Sequence, residues 1–306
     1  MLVRAGDSVS NESTFAYAGA DGPCKDPFGF REEELRALDE DKTVRLGLVT
    51  ARSDVLPAAG LPDAATYERS ESLFADFARR DAESVAMLAQ PLVSDARYFS
   101  CRLLNPVTIA TFVFAEPFDA GDTLHLQGPE KSLEAPHPNL PTVYANLLPP
   151  KDPRDPPFFT AGTWTLTAPG GQTVKPFEVS RQLPPPLRWL NREALAEIDR
   201  GADLTVTWSA DGYTVNDVMT VTLESASPLP VRAGAVSCRA PASAGRLTLP
   251  ASMLASLARI PVGRLDLRLA PRPDRRVGFD LPLAGGGVER AAFDYLFTDT
   301  LRVAVR

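Results

Sequence analysis

Histidine is nearly absent from this chain: of 306 residues, only His125 and His137 carry an imidazole. A histidine-based metal site needs convergent ligands. His125, on the polar face of an alternating run, and His137, in a proline-rich loop, have no such partners by spacing. A Ser-His-Asp arrangement would lack the G-x-S-x-G elbow that presents a nucleophile, and calcium loops of the D-x-D-x-D-G kind are missing. The three cysteines, Cys24, Cys101 and Cys238, show no C-x-x-C spacing, which excludes a zinc ribbon or a thioredoxin-like motif. An odd count allows one disulfide at most. Cys24 with Cys101 is one pairing it permits, and Cys238 is expected to be a buried free thiol behaving as a small hydrophobe. No window approaches roughly 18 consecutive apolar residues, so no transmembrane helix is expected. Met1–Asp7 holds no apolar core of an export signal. Either the protein is cytoplasmic, or its biological start is not Met1.

Proline is abundant, at 29 residues, and sits mostly between alternating runs, as many short strands with fixed turns require. The net charge of −7 is uneven: residues 1–92 hold 17 acidic and 10 basic side chains, and residues 93–306 hold 22 of each. Glu32, Glu33, Glu34, Asp39, Glu40 and Asp41 concentrate the acidity. Nucleic acid and anionic lipid are poor partners for such a surface.

Residues 1–92 read as an acidic, mixed α/β or irregular module. A helical run is expected near Arg31–Asp41, a short strand at Val44–Thr50, and a helical stripe through Ser70–Gln90 carried by Leu73, Phe74, Phe77, Val85 and Leu88. From Arg97 the period becomes two. Tyr98–Leu103, Thr108–Phe114 and Asp122–Gln127 alternate, Glu116–Gly121 reads as a turn, and Val143–Leu148 is a strand candidate within the proline-rich Pro129–Pro157 connection. In Thr163–Thr167, Trp164 and Leu166 face inward and the threonines outward. This first β-sandwich spans 93–182.

Pro184-Pro185-Pro186 reads as a stiff spacer. The second sandwich, 183–306, follows, with strands at Leu204–Trp208, Val218–Ser225, Ala233–Ala240, Arg246–Leu249, Gly263–Leu269, Val277–Leu281, Ala291–Phe297 and Leu301–Val305. A short helix is expected after Pro250. Strands at this spacing suggest a mainly β protein of two tandem sandwiches.

Asp203-Leu-Thr-Val-Thr-Trp-Ser209 followed by Gly212-Tyr213 resembles strand B and the start of strand C in fibronectin type III and related immunoglobulin-like domains. The run from Gly162 to Gly171, the spacer with Leu187–Arg192, and Ala244–Leu254 together resemble the C-terminal part of uncharacterised bacterial secreted proteins with tandem immunoglobulin-like modules. The likeness covers about residues 96–306. It implies export, and carries no activity, cofactor or site residue.

Other candidate chemistry has a plainer reading. Asp152 with Asp155, and Glu32–Glu34, are paired carboxylates that fit a solvated loop and an acidic helical face. Arg259, Arg264, Arg268, Arg272, Arg275 and Arg276 read as an anion patch or, better, a cross-strand charge lattice. Gly285–Gly287 lacks the helix and lysine of a phosphate loop and reads as a hairpin connection. Trp164, Trp189 and Trp208 share faces with leucine or valine and are expected as core anchors, leaving Tyr144 and Tyr213 as platform candidates for a sugar. Asn11-Glu12-Ser13 matches the glycosylation triplet.

Together these features point to a non-enzymatic extracellular or cell-envelope protein contacting a protein or glycan surface. The alternative is a carbohydrate- or peptide-binding accessory module of a larger secreted enzyme, with its site on Asp211–Asn216 and the 129–157 connection. An enzyme site where the N-terminal module meets the first sandwich is a third option.

Overall fold

A computed structural model describes residues 4–5, 8–9, 43–58, 66–81, 101–104, 116–137, 143–215, 217–225, 235–256, 264–272, 277–286 and 288–305. The chain is mainly β, as expected. In chain order the strands are β1 (Arg4–Ala5), β2 (Ser8–Val9), β3 (Thr43–Pro57), β4 (Tyr67–Asp81), β5 (Cys101–Leu104), β6 (Glu116–Pro117), β7 (Thr123–Gln127), β8 (Ser132–Pro136) and β9 (Val143–Leu147). Then come β10 (Gly162–Ala168), β11 (Phe177–Leu183), β12 (Glu197–Ile198), β13 (Leu204–Thr207), β14 (Val218–Ser225), β15 (Ala235–Pro241), β16 (Arg246–Leu249), β17 (Arg264–Arg272), β18 (Val277–Pro282) and β19 (Val288–Val305). One α-helix, α1 (Ala251–Ser256), lies among the described residues.

The helical stripe expected through Ser70–Gln90 is wrong for its first half. Residues 67–81 form a 15-residue strand paired along its whole length with β3. Leu73, Ala75 and Phe77 alternate inward and are fully buried, whereas Phe74 points out. Leu73 and Phe77 satisfy helical and strand spacing alike; pairing to β3 and β9 decides for the strand. The short strand expected at Val44–Thr50 likewise extends to Pro57. The Arg31–Asp41 helix, residues 82–90 and Thr108–Phe114 lie outside the described residues.

β19 is the spine of the molecule. Its first part pairs parallel with β3 on one side and antiparallel with β18 on the other; its last part pairs antiparallel with β17 and parallel with β12. The resulting large sheet runs β5-β15-β14-β17-β19-β3-β4-β6, with β9 beside β4. Hydrogen bonding therefore crosses both expected boundaries: β3 and β4 join the C-terminal strand, and β5 edges β15.

A second sheet, β11-β10-β7-β8, packs into the same core as the large sheet. Trp164, Leu166, Leu124, Leu126 and Val179 share a core with Phe77, Tyr144 and Phe293. Both seams are tied. Lys175 N–H donates to the Pro282 carbonyl at 2.8 Å, and the Asn146 amide donates to the Glu134 carbonyl at 2.6 Å. The β13-β16 pair, Trp189 and Trp208 belong to the same continuous buried cluster. The proline spacer is packed rather than free-standing: Tyr213 Oη donates to the Pro185 carbonyl at 3.1 Å.

Cys101 and Cys238 stand opposite each other in the β5–β15 register and form a disulfide. This corrects the expectation of a free Cys238 thiol and rules out the Cys24–Cys101 pairing that the odd count permitted. The partner of Cys101 is set by a strand pairing 137 residues away in sequence, which no local spacing encodes.

Candidate functional site

At one end of the β11-β10-β7-β8 sheet, the loops 118–122 and 169–174 form a shallow groove of about 470 Å³ lined by Asp119, Gly121, Asp122, Pro169, Gly170, Gly171 and Gln172. Asp119 orders both loops. Its carboxylate accepts N–H bonds from Gln172 and Gly121, each at 2.8 Å, and its carbonyl accepts from Val174 at 2.9 Å. Those backbone donors, Gln172 first, hold its pKa below the ordinary carboxylate value. Gly121 and Gly170 have φ of 110° and 85°, which side-chain-bearing residues rarely adopt. Beneath the groove, Tyr144 Oη accepts the Ala120 N–H at 2.8 Å, and burial pushes its phenol pKa up. The groove thus offers acceptors and rigid backbone, with Asp119 already committed to its own loops.

A second polar assembly lies between the sheets. Arg69 and Glu71, on the inward face of β4, grip the connection that follows β9. Arg69 donates to the Pro153 carbonyl at 2.6 Å and to that of Asp155. Glu71 accepts from Phe158 and Phe159 N–H at 2.7 and 3.2 Å. Nearby, Tyr295 is fully enclosed and its phenol is pushed up by burial, with further contributions from Tyr213 and Glu71. Both guanidinium Nη atoms of Arg69 and both carboxylate oxygens of Glu71 are engaged by loop backbone, an arrangement that braces a loop.

The candidates named from sequence fall apart in space. His125 is exposed on β7 with Nδ1 3.4 Å from Glu134; His137 is exposed, its ring centroid 4.9 Å from that of Tyr144. Asp152 is clasped by Arg154, which holds its pKa down to about 2, while Asp155 offers its carbonyl to Arg69. Gly285 and Gly286 form the turn between β18 and β19, as expected of a hairpin connection. Arg264, Arg268 and Arg272 lie along β17. Arg259, Arg275, Arg276, Asn216, Gly287, Glu32–Glu34 and Asn11–Ser13 are outside the described residues.

All three tryptophans are buried, as expected. Tyr144 and Tyr213 are buried too, which overturns their reading as exposed platforms. Each turns inward because its hydroxyl finds a backbone partner inside. Sequence reasoning missed Arg69, Glu71, Arg181, Arg192, Asp294 and Asp299. The available signal was parity: Arg69 and Glu71 continue the inward series Leu73, Ala75, Phe77, and Arg181 sits between Val179 and Leu183. Among the described residues, no group of three or more His, Cys, Asp or Glu is placed to hold a metal ion, and no helix is long and apolar enough to cross a membrane. No known family's sequence model matches the chain, and a search of curated proteins gave no match.

Proposed function

We propose that this is a non-enzymatic structural or adhesive protein of the extracellular space or cell envelope, built as two layered units in a tandem, immunoglobulin-like manner and contacting a protein or glycan surface. The observation that carries the reading is the Cys101–Cys238 disulfide across β5 and β15, because such bonds persist in oxidising compartments and are rare in the cytosol. The loop-bracing contacts of Arg69 and Glu71 and the inward aromatic rings favour a load-bearing body over a reaction vessel. The test is direct. Fractionation of the producing cells, with an impermeant label applied to intact cells, is expected to find the native protein outside the inner compartment with its disulfide formed. A reduced protein confined to the cytosol overturns the proposal.

A second reading, a carbohydrate- or peptide-binding accessory module, is favoured by the groove between loops 118–122 and 169–174. Loops ordered on a rigid scaffold are where recognition is commonly placed. Glycan and peptide arrays probed with the wild type and with a D122A/Q172A variant decide it: signal lost in the variant supports the groove, and a blank array removes it.

A further inference from the structure

The connection from β9 to β10 carries two Asp-Pro bonds, Asp152–Pro153 and Asp155–Pro156, and the fold treats them differently. The Asp155 N–H donates to the Asp152 carbonyl at 3.0 Å, which closes a tight turn around the first of them. Within that turn the Asp152 carboxylate is taken. The Arg154 guanidinium donates to Oδ1 at 2.9 Å and to Oδ2 at 2.5 Å, and the Arg154 N–H donates to Oδ1 at 2.8 Å. The Asp155 side chain is exposed and makes no hydrogen bond or ion pair among the described residues. Its main-chain carbonyl, by contrast, is held. Arg69, itself buried, reaches from β4 and donates Nη1 to that oxygen and Nη2 to the Pro153 carbonyl at 2.6 Å.

We propose that Asp155–Pro156 is a self-processing site: in mild acid the Asp155 side chain cuts the bond whose carbonyl Arg69 polarises, giving a two-chain protein. The carboxyl Oδ bonds to the Asp155 carbonyl carbon and closes a small ring. Its proton passes to the Pro156 nitrogen, the C–N bond breaks, and a cyclic anhydride is left. Water then opens the anhydride, so one water is consumed and nothing is oxidised or reduced. Nucleophile and carbonyl share one residue, which replaces a bimolecular encounter. The bond to proline is a tertiary amide, and it departs as a basic secondary amine. The guanidinium donates to the oxygen on which negative charge develops. After the cut Arg69 faces a carboxylate in place of a neutral carbonyl, a stronger partner. The charged groups about Asp155 are Arg69 from β4, with Arg154 and Asp152 from its own loop. Asp152 cannot do the same. Clasped by Arg154 it lacks a proton to give to the Pro153 nitrogen, and its carbonyl meets a neutral N–H. The pieces stay together, because Cys101 precedes the cut and Cys238 follows it.

Acid incubation of the full chain, followed by mass spectrometry, tests this. Wild type that circular dichroism shows to be folded is held at about pH 4, where aspartates in general take up protons, beside the same chain in urea. The folded product is expected to gain the mass of one water and to separate, only after reduction, into residues 1–155 and 156–306. Unfolding removes both Arg69 and the Arg154 clasp, so the two Asp-Pro bonds should break at similar rates in urea. In the folded chain Asp155–Pro156 should lead Asp152–Pro153 by about a hundredfold, the effect of one oxyanion donor. P156A and D155N should abolish the cut, and R69M should collapse the preference. A folded chain left whole after residue 155, a preference no greater than in urea, or a P156A chain cut at the same place overturns the site. If R69M does not fold, the ratio between folded and urea samples still decides.

Discussion

Arg181 of β11 and Asp294 of β19 meet at 3.5 Å with side chains 2% and 6% exposed, an ion pair sealed between the two sheets. It sits where β19 has left β18, whose pairing ends at Phe293, and has not yet reached β17, whose pairing begins at Asp299. Arg181 donates to the Phe293 carbonyl, and Asp294 Oδ1 accepts the Tyr295 N–H at 2.8 Å. Side chains thus supply hydrogen bonds in a gap where the strand ladder does not.

Removing the cation alone should be costly, because a buried carboxylate then loses its counter-charge. R181M is expected to lower the unfolding free energy by about 3–5 kcal/mol. R181M/D294N removes both charges and keeps an acceptor for the Tyr295 N–H, so it should recover much of that loss. Urea unfolding of both variants measures the difference. Equal losses would mean that the two charges are not coupled.

The Glu71 carboxylate holds the start of the Phe158–Phe159 segment, and its loss strands two N–H groups. E71A should destabilise by about 2–4 kcal/mol, the cost of leaving buried donors without a charged acceptor. E71Q keeps one oxygen and should fall between. Exchange of the Phe158 and Phe159 amides should accelerate in E71A ahead of those in β10; acceleration in both together would place Glu71 in general stability instead.

Much of the second half was legible, and the reason is local. Val218–Ser225 and Arg246–Leu249 match the expected strands because each alternates or is β-branched by itself. Thr163–Thr167 was placed with the correct inward face for the same reason. β3, β4 and β19 were misjudged because their identity rests on distant partners. Ala291–Phe297 and Leu301–Val305 read as two strands but form one, bridged by Asp299. That residue breaks an apolar pattern, yet it sits where a counter-charge waits. Arg69, Glu71 and Arg181 look like surface residues until the strand that carries them is known to face a second sheet.

Two aspartates predict opposite pH behaviour. Asp76 has its pKa raised from 3.8 by burial, against the opposing pull of Arg80. The stability it contributes is present below the unfolded pKa and lost as pH rises through the folded one. The wild type should therefore lose ground to D76N as pH rises above about 4. Asp119, lowered by the Gln172 and Gly121 N–H groups, contributes above the unfolded pKa and loses it as pH falls through the folded one. The advantage of the wild type over D119N should be complete near neutrality and shrink in acid. Thermal unfolding between about pH 7 and about pH 3 reads both; parallel curves for the two variants would contradict both assignments.

The last prediction concerns the staple. β5 contributes four register pairs at the edge of the large sheet, joined to β15 across 137 residues of sequence. So few pairs offset little of the entropy of closing so long a loop, and the covalent bond supplies that constraint in the unfolded chain. C101S/C238S is therefore expected to lose about 2–5 kcal/mol of stability, with the β5 amides exchanging first. Alkylation of the unfolded, unreduced chain should add one label, on Cys24, since three cysteines less one bridge leave a single thiol. Peptide mapping that returned a Cys24–Cys101 bridge, or three labels, would break the assignment. It would also remove the observation on which an oxidising compartment is proposed.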